Sequence, residues 1–129
     1  MKVALVCTAL LGLLVFGLGL AVSARRGSTR TNIGHEHDPS DPLHKLVRAH
    51  GNAAEYAPML AILMLAIAAR GCTPWMVWTF IAATVFRYLH AAGMILSPSL
   101  DRPQPLRFVG ALGTYLSGLA LVVAMLLVV

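Results

Sequence analysis

Four apolar stretches, each long enough to cross a lipid bilayer, dominate this chain of 129 residues. A transmembrane helix needs about 20 consecutive, mostly apolar residues. The stretches that meet this requirement are residues 3–24, 50–70, 73–96 and 104–128. Most charged residues lie at the ends of these stretches or between them, and the exceptions are Glu55, Arg87 and Arg107. We therefore expect an all-α fold, an integral membrane bundle of four helices that forms a single domain over residues 1–129.

Composition and charge exclude several other classes of protein. Hydrophobic residues make up 58% of the chain and charged residues 12%, whereas soluble domains average about 45–50% and about 25%. This excludes an ordinary soluble domain and a disordered chain. The net charge of +5 comes from basic residues that stand singly or in pairs, without the continuous basic face of a nucleic-acid-binding protein. Cys7 and Cys72 are the only cysteines, and their apolar surroundings predict no disulfide framework.

The distribution of basic residues predicts the orientation in the membrane. Cytoplasmic loops of membrane proteins carry an excess of Lys and Arg. One side of the predicted bundle carries Arg25, Arg26, Arg30, Lys45, Arg48, Arg102 and Arg107, and the other carries Lys2 and Arg70. We therefore expect both large loops, including residues 25–47, in the cytoplasm and both termini outside.

The first apolar stretch allows a second interpretation, that of a signal peptide. Small residues at Val22-Ser23-Ala24 precede Arg25 and resemble a cleavage site. Signal peptides have an apolar region of about 7–15 residues, however, and this stretch is longer. We therefore expect a retained helix, and a mass measurement on the purified protein tests it.

Three histidines in the first loop, His35, His37 and His44, lie near acidic residues and raise the hypothesis of a metal site. Their spacing matches no established zinc pattern. A His-x-His pair in a polar loop is ordinarily solvated, so we expect no metal.

Polar residues inside the second and third stretches form two stripes. Arg48, Asn52 and Glu55 recur at helical spacing, with Tyr56 beside them, and Arg87 and His90 do the same in the third stretch. Ionisable residues in a bilayer normally face the bundle interior and find a partner. We expect the stripes to pair, for instance Glu55 with Arg87. Such pairs can serve only to hold helices together.

The charge balance of this region favours a ligand. The predicted cytoplasmic membrane face gathers four arginines against two acids, Glu55 and Asp101; the arginines are Arg48, Arg87, Arg102 and Arg107. Guanidinium groups bind carboxylates through a planar fork of donors. A small anion such as a peptide with free carboxylates would balance the excess positive charge.

The fourth stretch carries small residues and one tyrosine. Gly110, Gly113, Ser117 and Gly118 permit close helix packing. Tyr115 either bridges two helices or reaches a ligand, and we favour the first interpretation.

The polar residues resemble those of a known family. Residues 48–58, RAHGNAAEYAP, match the R-x-x-x-N-x-x-E-x-x-P signature of the MAPEG superfamily, the membrane-associated proteins of eicosanoid and glutathione metabolism. Residues 87–90, RYLH, resemble its third-helix R-x-x-[HY] element, and residues 102–107, RPQPLR, resemble the Arg/Pro-rich segment before its fourth helix. The pattern is most similar to the short bacterial members.

The resemblance implies a four-helix protomer that assembles as a homotrimer in a bacterial inner membrane. Glutathione would bind between subunits near the cytoplasmic face, as a co-substrate and without a metal. The implied glutathione-binding residues are Arg48, Asn52, Glu55, Tyr56, Arg87 and His90. Arg102 or Arg107 would stabilise the glutathione thiolate. Met94 replaces a tyrosine of several members, and Tyr115 is the candidate to replace that contact.

Two functions from different classes follow. The first is a membrane glutathione transferase or peroxidase, which would direct the glutathione thiolate at a lipophilic electrophile or hydroperoxide. The second is a non-catalytic membrane module that binds a small anion or a partner protein through the same polar stripe. A catalytic site leaves an arginine free to contact sulfur, whereas a structural network leaves no unpaired guanidinium.

Overall fold

The computed structural model describes residues 1–129 and consists of four helices. They are α1 (Lys2–Thr29), α2 (Pro42–Arg70), α3 (Pro74–Leu96) and α4 (Pro105–Leu127). All four are long and apolar enough to cross a membrane. The predicted all-α architecture with four candidate membrane spans is therefore confirmed.

The first two helices are longer than the sequence predicts. Helix α1 ends at Thr29 rather than at residue 24, and α2 begins at Pro42 rather than at residue 50, so the first loop shortens to residues 30–41. The 28 residues of α1 measure about 42 Å at a rise of about 1.5 Å per residue, which exceeds a hydrocarbon layer of about 30 Å. Hydropathy marks where the chain leaves the apolar layer, whereas these helices continue into polar sequence. Helix α2 begins where it does because Asp41 caps it, accepting a 2.7 Å hydrogen bond from the main-chain N–H of His44.

The core is asymmetric along the bundle axis. A larger cluster of 13 buried apolar residues draws on all four helices near the chain termini. A smaller cluster of six lies towards the long loops and contains no residue of α4. The smaller cluster includes Ala49 and Ala53, small residues one turn apart that pack with Leu14 and Leu18. Helix α4 therefore contributes no residue to the apolar core at the loop end of the bundle.

Helix α1 is part of the same core. Its buried residues recur every three or four positions and form one stripe: Ala4, Cys7, Leu11, Leu14, Leu18 and Val22. Residues of this stripe pack into both clusters.

Glycines bring α3 and α4 into main-chain contact. A Cβ on Gly93 would overlap the main chain of Arg107, and a Cβ on Gly110 would overlap the main chain of His90. Close packing at Gly110 follows the expectation for small residues in membrane helices, whereas the role of Gly93 was not predicted. The contact places His90 beside Arg107.

The two long loops meet at one end of the bundle. The main-chain N–H of Leu100, in the α3–α4 loop, donates to the carbonyl of Pro39 in the α1–α2 loop at 2.9 Å. The Lys45 ammonium donates to the carbonyl of Ser97 at 3.0 Å. Ser97 is the C-cap of α3, where a cation is favourable because the helix dipole is negative. These bonds fix the start of α2 against the end of α3.

Candidate functional site

A cavity of about 840 Å³ lies at the loop end of the bundle, between α2, α3 and the start of α4. It is open on one side. Its walls carry four of the residues singled out from the sequence: Arg48, Asn52, His90 and Arg107. None of the residues that line it is acidic. The cavity is therefore a positively charged compartment suited to an anion.

Arg107 is held rigidly at the wall of this cavity. Its main-chain N–H donates to the Gln104 side chain at 2.7 Å, which caps α4. Its guanidinium donates to the carbonyl of Leu100 at 2.9 Å and to that of Arg102 at 3.1 Å. A guanidinium has five N–H donors, so donors remain for a ligand. Two fixed bonds set its direction.

His90 has a defined tautomer. Its Nδ1 lies 2.9 Å from the carbonyl oxygen of Arg107, and because a carbonyl only accepts hydrogen bonds, Nδ1–H is the donor. In the neutral ring Nε2 then carries the free lone pair. His90 is consequently oriented as a hydrogen-bond or proton acceptor in this part of the site.

Two further arginines differ in availability. Arg48 is exposed on the cavity wall and makes no side-chain hydrogen bond within the chain. Arg102 is exposed and does not line the cavity. Of the two candidates for the thiolate contact, only Arg107 therefore faces the cavity.

Arg87 pairs with Asn52, which corrects the expected Glu55–Arg87 pair. The Arg87 guanidinium donates to Asn52 Oδ1 at 2.7 Å, lies 5.1 Å from the centroid of the Tyr56 ring, and the residue is only 1% exposed. Glu55 is exposed on the surface of the chain. The reason is the position and rotation of α2 relative to α3. At the level of Arg87, the residue of α2 that faces α3 is Asn52, about one turn before Glu55.

Arg87 also lies outside the wall of the large cavity. Its side chain is buried behind Asn52, so within the chain it supports a wall residue. The stripe on α3 thus divides into a buried cation, Arg87, and a residue that reaches the cavity, His90.

The remaining candidates lie on a second, apolar groove of about 510 Å³ between α2 and α4. Glu55, Tyr56 and Tyr115 line it, together with the apolar residues Met59, Leu60, Leu63, Leu119 and Val122. The two tyrosine hydroxyls lie 3.2 Å apart and share a hydrogen bond. Tyr115 therefore bridges α2 and α4, the interpretation favoured from the sequence, and it also lines the groove.

The sequence does not assign two polar residues to the cavity: Gln104, and His44, which it considers only as a metal ligand. His44 stands four residues before Arg48, which stands four before Asn52, so the spacing of the stripe already contained the signal. Gln104 precedes Arg107 by three residues, the spacing of a capping side chain, and this too is readable from the sequence.

Comparison with known proteins identifies the family of the chain. A family model, that of the MAPEG family, matches residues 4–127, which is nearly the whole chain and includes all four helices. Among curated proteins, none matches the chain. MAPEG proteins are membrane proteins of glutathione and eicosanoid metabolism, and its members use glutathione. With four candidate membrane helices and the match over residues 4–127, the chain belongs to the MAPEG family.

Proposed function

We propose that this protein is a membrane glutathione transferase or glutathione-dependent peroxidase. It would bind glutathione in the cavity at the loop end and direct the thiolate at a lipophilic electrophile or hydroperoxide. The observation that carries the proposal is the cavity wall, where Arg48 and Arg107 stand without an acidic residue.

The fit to glutathione rests on charge and size. The tripeptide carries two carboxylates, and the unpaired Arg48 guanidinium supplies a charge-assisted contact for one of them. Small-ligand sites have volumes of about 300–1,000 Å³, and the cavity, at about 840 Å³, lies within this range. Asn52 supplies a neutral polar contact on the same wall.

Thiolate activation is the proposed role of Arg107. A free thiol has a pKa of about 8.5 and is mostly protonated at neutral pH. A guanidinium held beside sulfur favours the anion, which is the nucleophile. His90, with its acceptor nitrogen set by the bond from Nδ1, takes the thiol proton.

We further propose a homotrimer in a bacterial inner membrane, with the loops cytoplasmic and the termini outside. The open side of the cavity and the exposed Glu55 carboxylate support association with further copies, because a carboxylate at membrane depth needs a partner. Glutathione would arrive from the cytoplasm and its lipophilic partner from the bilayer. Glu55, Tyr56 and Arg87 belong to the binding region of this assembly, with Tyr115 beside it.

The test combines binding and thiolate formation. Titration calorimetry of the detergent-purified protein with glutathione and with an S-alkyl analogue measures binding, and ultraviolet difference absorbance measures the thiolate. We expect Arg107→Ala to abolish the thiolate signal while glutathione still binds. Arg102→Ala is the matched control and should leave the signal unchanged.

Other outcomes contradict the proposal. Absence of a thiolate signal in the wild type at saturating glutathione would favour the non-catalytic module. A signal retained by Arg107→Ala and lost in Arg102→Ala would assign the contact to Arg102. Failure of glutathione to bind at all would remove the proposed ligand.

A further inference from the structure

His44 is the one ionisable residue of the cavity wall to which the proposed function assigns no role. It is half-buried at the loop end of α2 and stands one turn before Arg48, on the same face of the helix. Its Nδ1 lies 2.9 Å from the main-chain carbonyl oxygen of Glu36. Because a carbonyl only accepts hydrogen bonds, Nδ1–H is the donor, and Nε2 is the nitrogen that remains for a ligand.

The protonation state of this ring decides whether it can bind an anion. A neutral ring that donates from Nδ1 carries a lone pair on Nε2, which repels a carboxylate. A protonated ring donates from both nitrogens, so Nδ1–H keeps the bond to Glu36 while Nε2–H is available to an anion. Histidine changes its charge between about pH 5 and 8. Binding of an anion at Nε2 is therefore coupled to the uptake of a proton from the solvent.

The charges around His44 favour its protonation most when an anion is bound. The Asp38 carboxylate attracts a positive charge on His44, but Asp38 is exposed and water weakens such an attraction. The His35 ring centroid lies 4.4 Å from that of His44, so a charge on one ring opposes a charge on the other. The arginines of the cavity wall oppose a further positive charge as well, and a bound anion offsets this opposition. The ionisable groups next to His44 or on the same cavity wall are His35, Glu36, Asp38 and Asp41 before α2, Lys45 and Arg48 on α2, His90 on α3 and Arg107 on α4.

We propose that protonated His44 holds the second carboxylate of glutathione, so that glutathione binding takes up a proton. The inference deepens the proposed function and rests on it. Arg48 holds one carboxylate, and His44 stands about 6 Å from it along α2, four residues at about 1.5 Å each. The two carboxylates of glutathione lie on either side of its cysteine. The contacts of Arg48 and His44 therefore hold both ends of the tripeptide, and Arg107 contacts the sulfur between them.

His90, on α3, has the same hydrogen-bonding arrangement, with Nδ1–H bonded to a main-chain carbonyl and Nε2 free. The two histidines differ in the source of the proton. In the proposed function His90 receives the proton of the glutathione thiol, whereas His44 takes its proton from the solvent and keeps it while glutathione is bound. An S-alkyl analogue of glutathione has no thiol proton. Proton uptake on binding of such an analogue therefore reports on His44.

The test measures binding of S-hexylglutathione to the detergent-purified, full-length protein by calorimetry. Titrations from about pH 5 to about pH 8, the range in which histidine changes its charge, give the affinity. Titrations in buffers of different ionisation enthalpy give the protons taken up. A hydrogen bond to a charged group corresponds to about 10- to 150-fold in affinity. For the wild type we expect the affinity to be about 10-fold or more higher at the acidic end of the range, with uptake of a proton.

Three variants separate charge from structure. His44→Gln retains an amide donor for the Glu36 carbonyl, and it should lose both the pH dependence and the proton uptake. His44→Lys carries a positive charge throughout this range, and it should bind tightly at every pH without proton uptake. His37→Gln is the matched control, since His37 is an exposed histidine of the same loop that does not line the cavity. It should behave as the wild type.

Proton uptake retained by His44→Gln, or lost in His90→Gln instead, would overturn the role of His44 and leave the proposed function standing. Weak binding by His44→Lys at every pH would also overturn it, because His44 would then act through its bond to Glu36 and not through its charge. A wild-type protein that binds neither glutathione nor S-hexylglutathione at any pH would overturn the proposed function together with this inference.

Discussion

Replacement of Asn52 by alanine tests the assignment of the buried arginine. Arg87 is 1% exposed and its only side-chain hydrogen bond goes to Asn52 Oδ1 at 2.7 Å. A hydrogen bond to a charged group contributes about 1.5–3 kcal/mol, whereas polar contacts between membrane helices average about 0.6 kcal/mol. Because the guanidinium keeps the Tyr56 ring but loses its acceptor, we expect Asn52→Ala to lower the free energy of unfolding by about 2 kcal/mol.

The assay is unfolding of the purified protein in detergent, with size-exclusion chromatography to follow assembly separately. Glu55→Ala is the matched control, because Glu55 lies on the same helix about 60° around and about 4.5 Å along the axis. It is exposed, so its replacement should change the free energy of unfolding of the chain by no more than about 0.5 kcal/mol. The double variant Asn52→Ala/Arg87→Met should recover part of the loss, since removing both partners leaves no buried charge.

A larger loss for Glu55→Ala than for Asn52→Ala would refute this assignment. It would mean that the carboxylate is the counter-charge of Arg87, as the sequence alone suggests. No recovery in the double variant would show that Asn52 contributes through packing, independently of the arginine.

Three further predictions concern packing, binding and pH. Gly110→Ala should destabilise the protein by about 1–3 kcal/mol, because the main chain of α3 cannot yield to an added methyl group. Gly12→Ala is the control, since a Cβ there would meet nothing within 4 Å. Equal thermal melts of the two variants would contradict the close α3–α4 contact. Arg48→Ala should weaken glutathione binding about 10- to 150-fold through loss of about 1.5–3 kcal/mol, and unchanged calorimetric affinity would remove Arg48 from the site. The Ser40 N–H and hydroxyl hold the pKa of Asp38 below its ordinary 3.8. The resulting stabilisation is complete above pH 3.8 and is lost as the pH falls through the lowered pKa. In a side-chain NMR titration, Ser40→Ala should raise the pKa of Asp38 part of the way to its ordinary value, since the bond from the main-chain N–H remains.

The sequence predicts the number and order of the helices because membrane crossing imposes a length and a composition that a single chain displays directly. It predicts helix ends less well, as at Thr29 and Pro42, since the bilayer constrains only the apolar part of each helix. Capping at Asp41 and Gln104 determines two of the ends. These local signals are present in the sequence but are common in loops as well.

The sequence predicts which candidate residues share one face of a helix. It does not predict which residues of two helices come into contact. Spacing alone places Arg48 and Asn52 on one face of α2, and both line the cavity. It does not give the rotation and axial offset of α3 against α2, so it cannot tell whether Arg87 meets Asn52 or Glu55. That choice follows from the packing of α2 against α3, which brings Asn52 to the Arg87 guanidinium.

The order of residues along α2 and α4 connects these observations to chemistry. Each helix passes from an arginine at the loop end, through a tyrosine, to leucines deeper in the apolar part of the bundle, at intervals of four residues. A water-soluble thiol and a lipophilic acceptor enter such a seam from opposite ends, because each is more stable in its own compartment. The polarity changes at the level of Tyr56 and Tyr115. The proposed thiolate contact, Arg107, therefore stands at the polar end of the seam, on the side from which the water-soluble thiol enters, and the leucines of the groove form its apolar end.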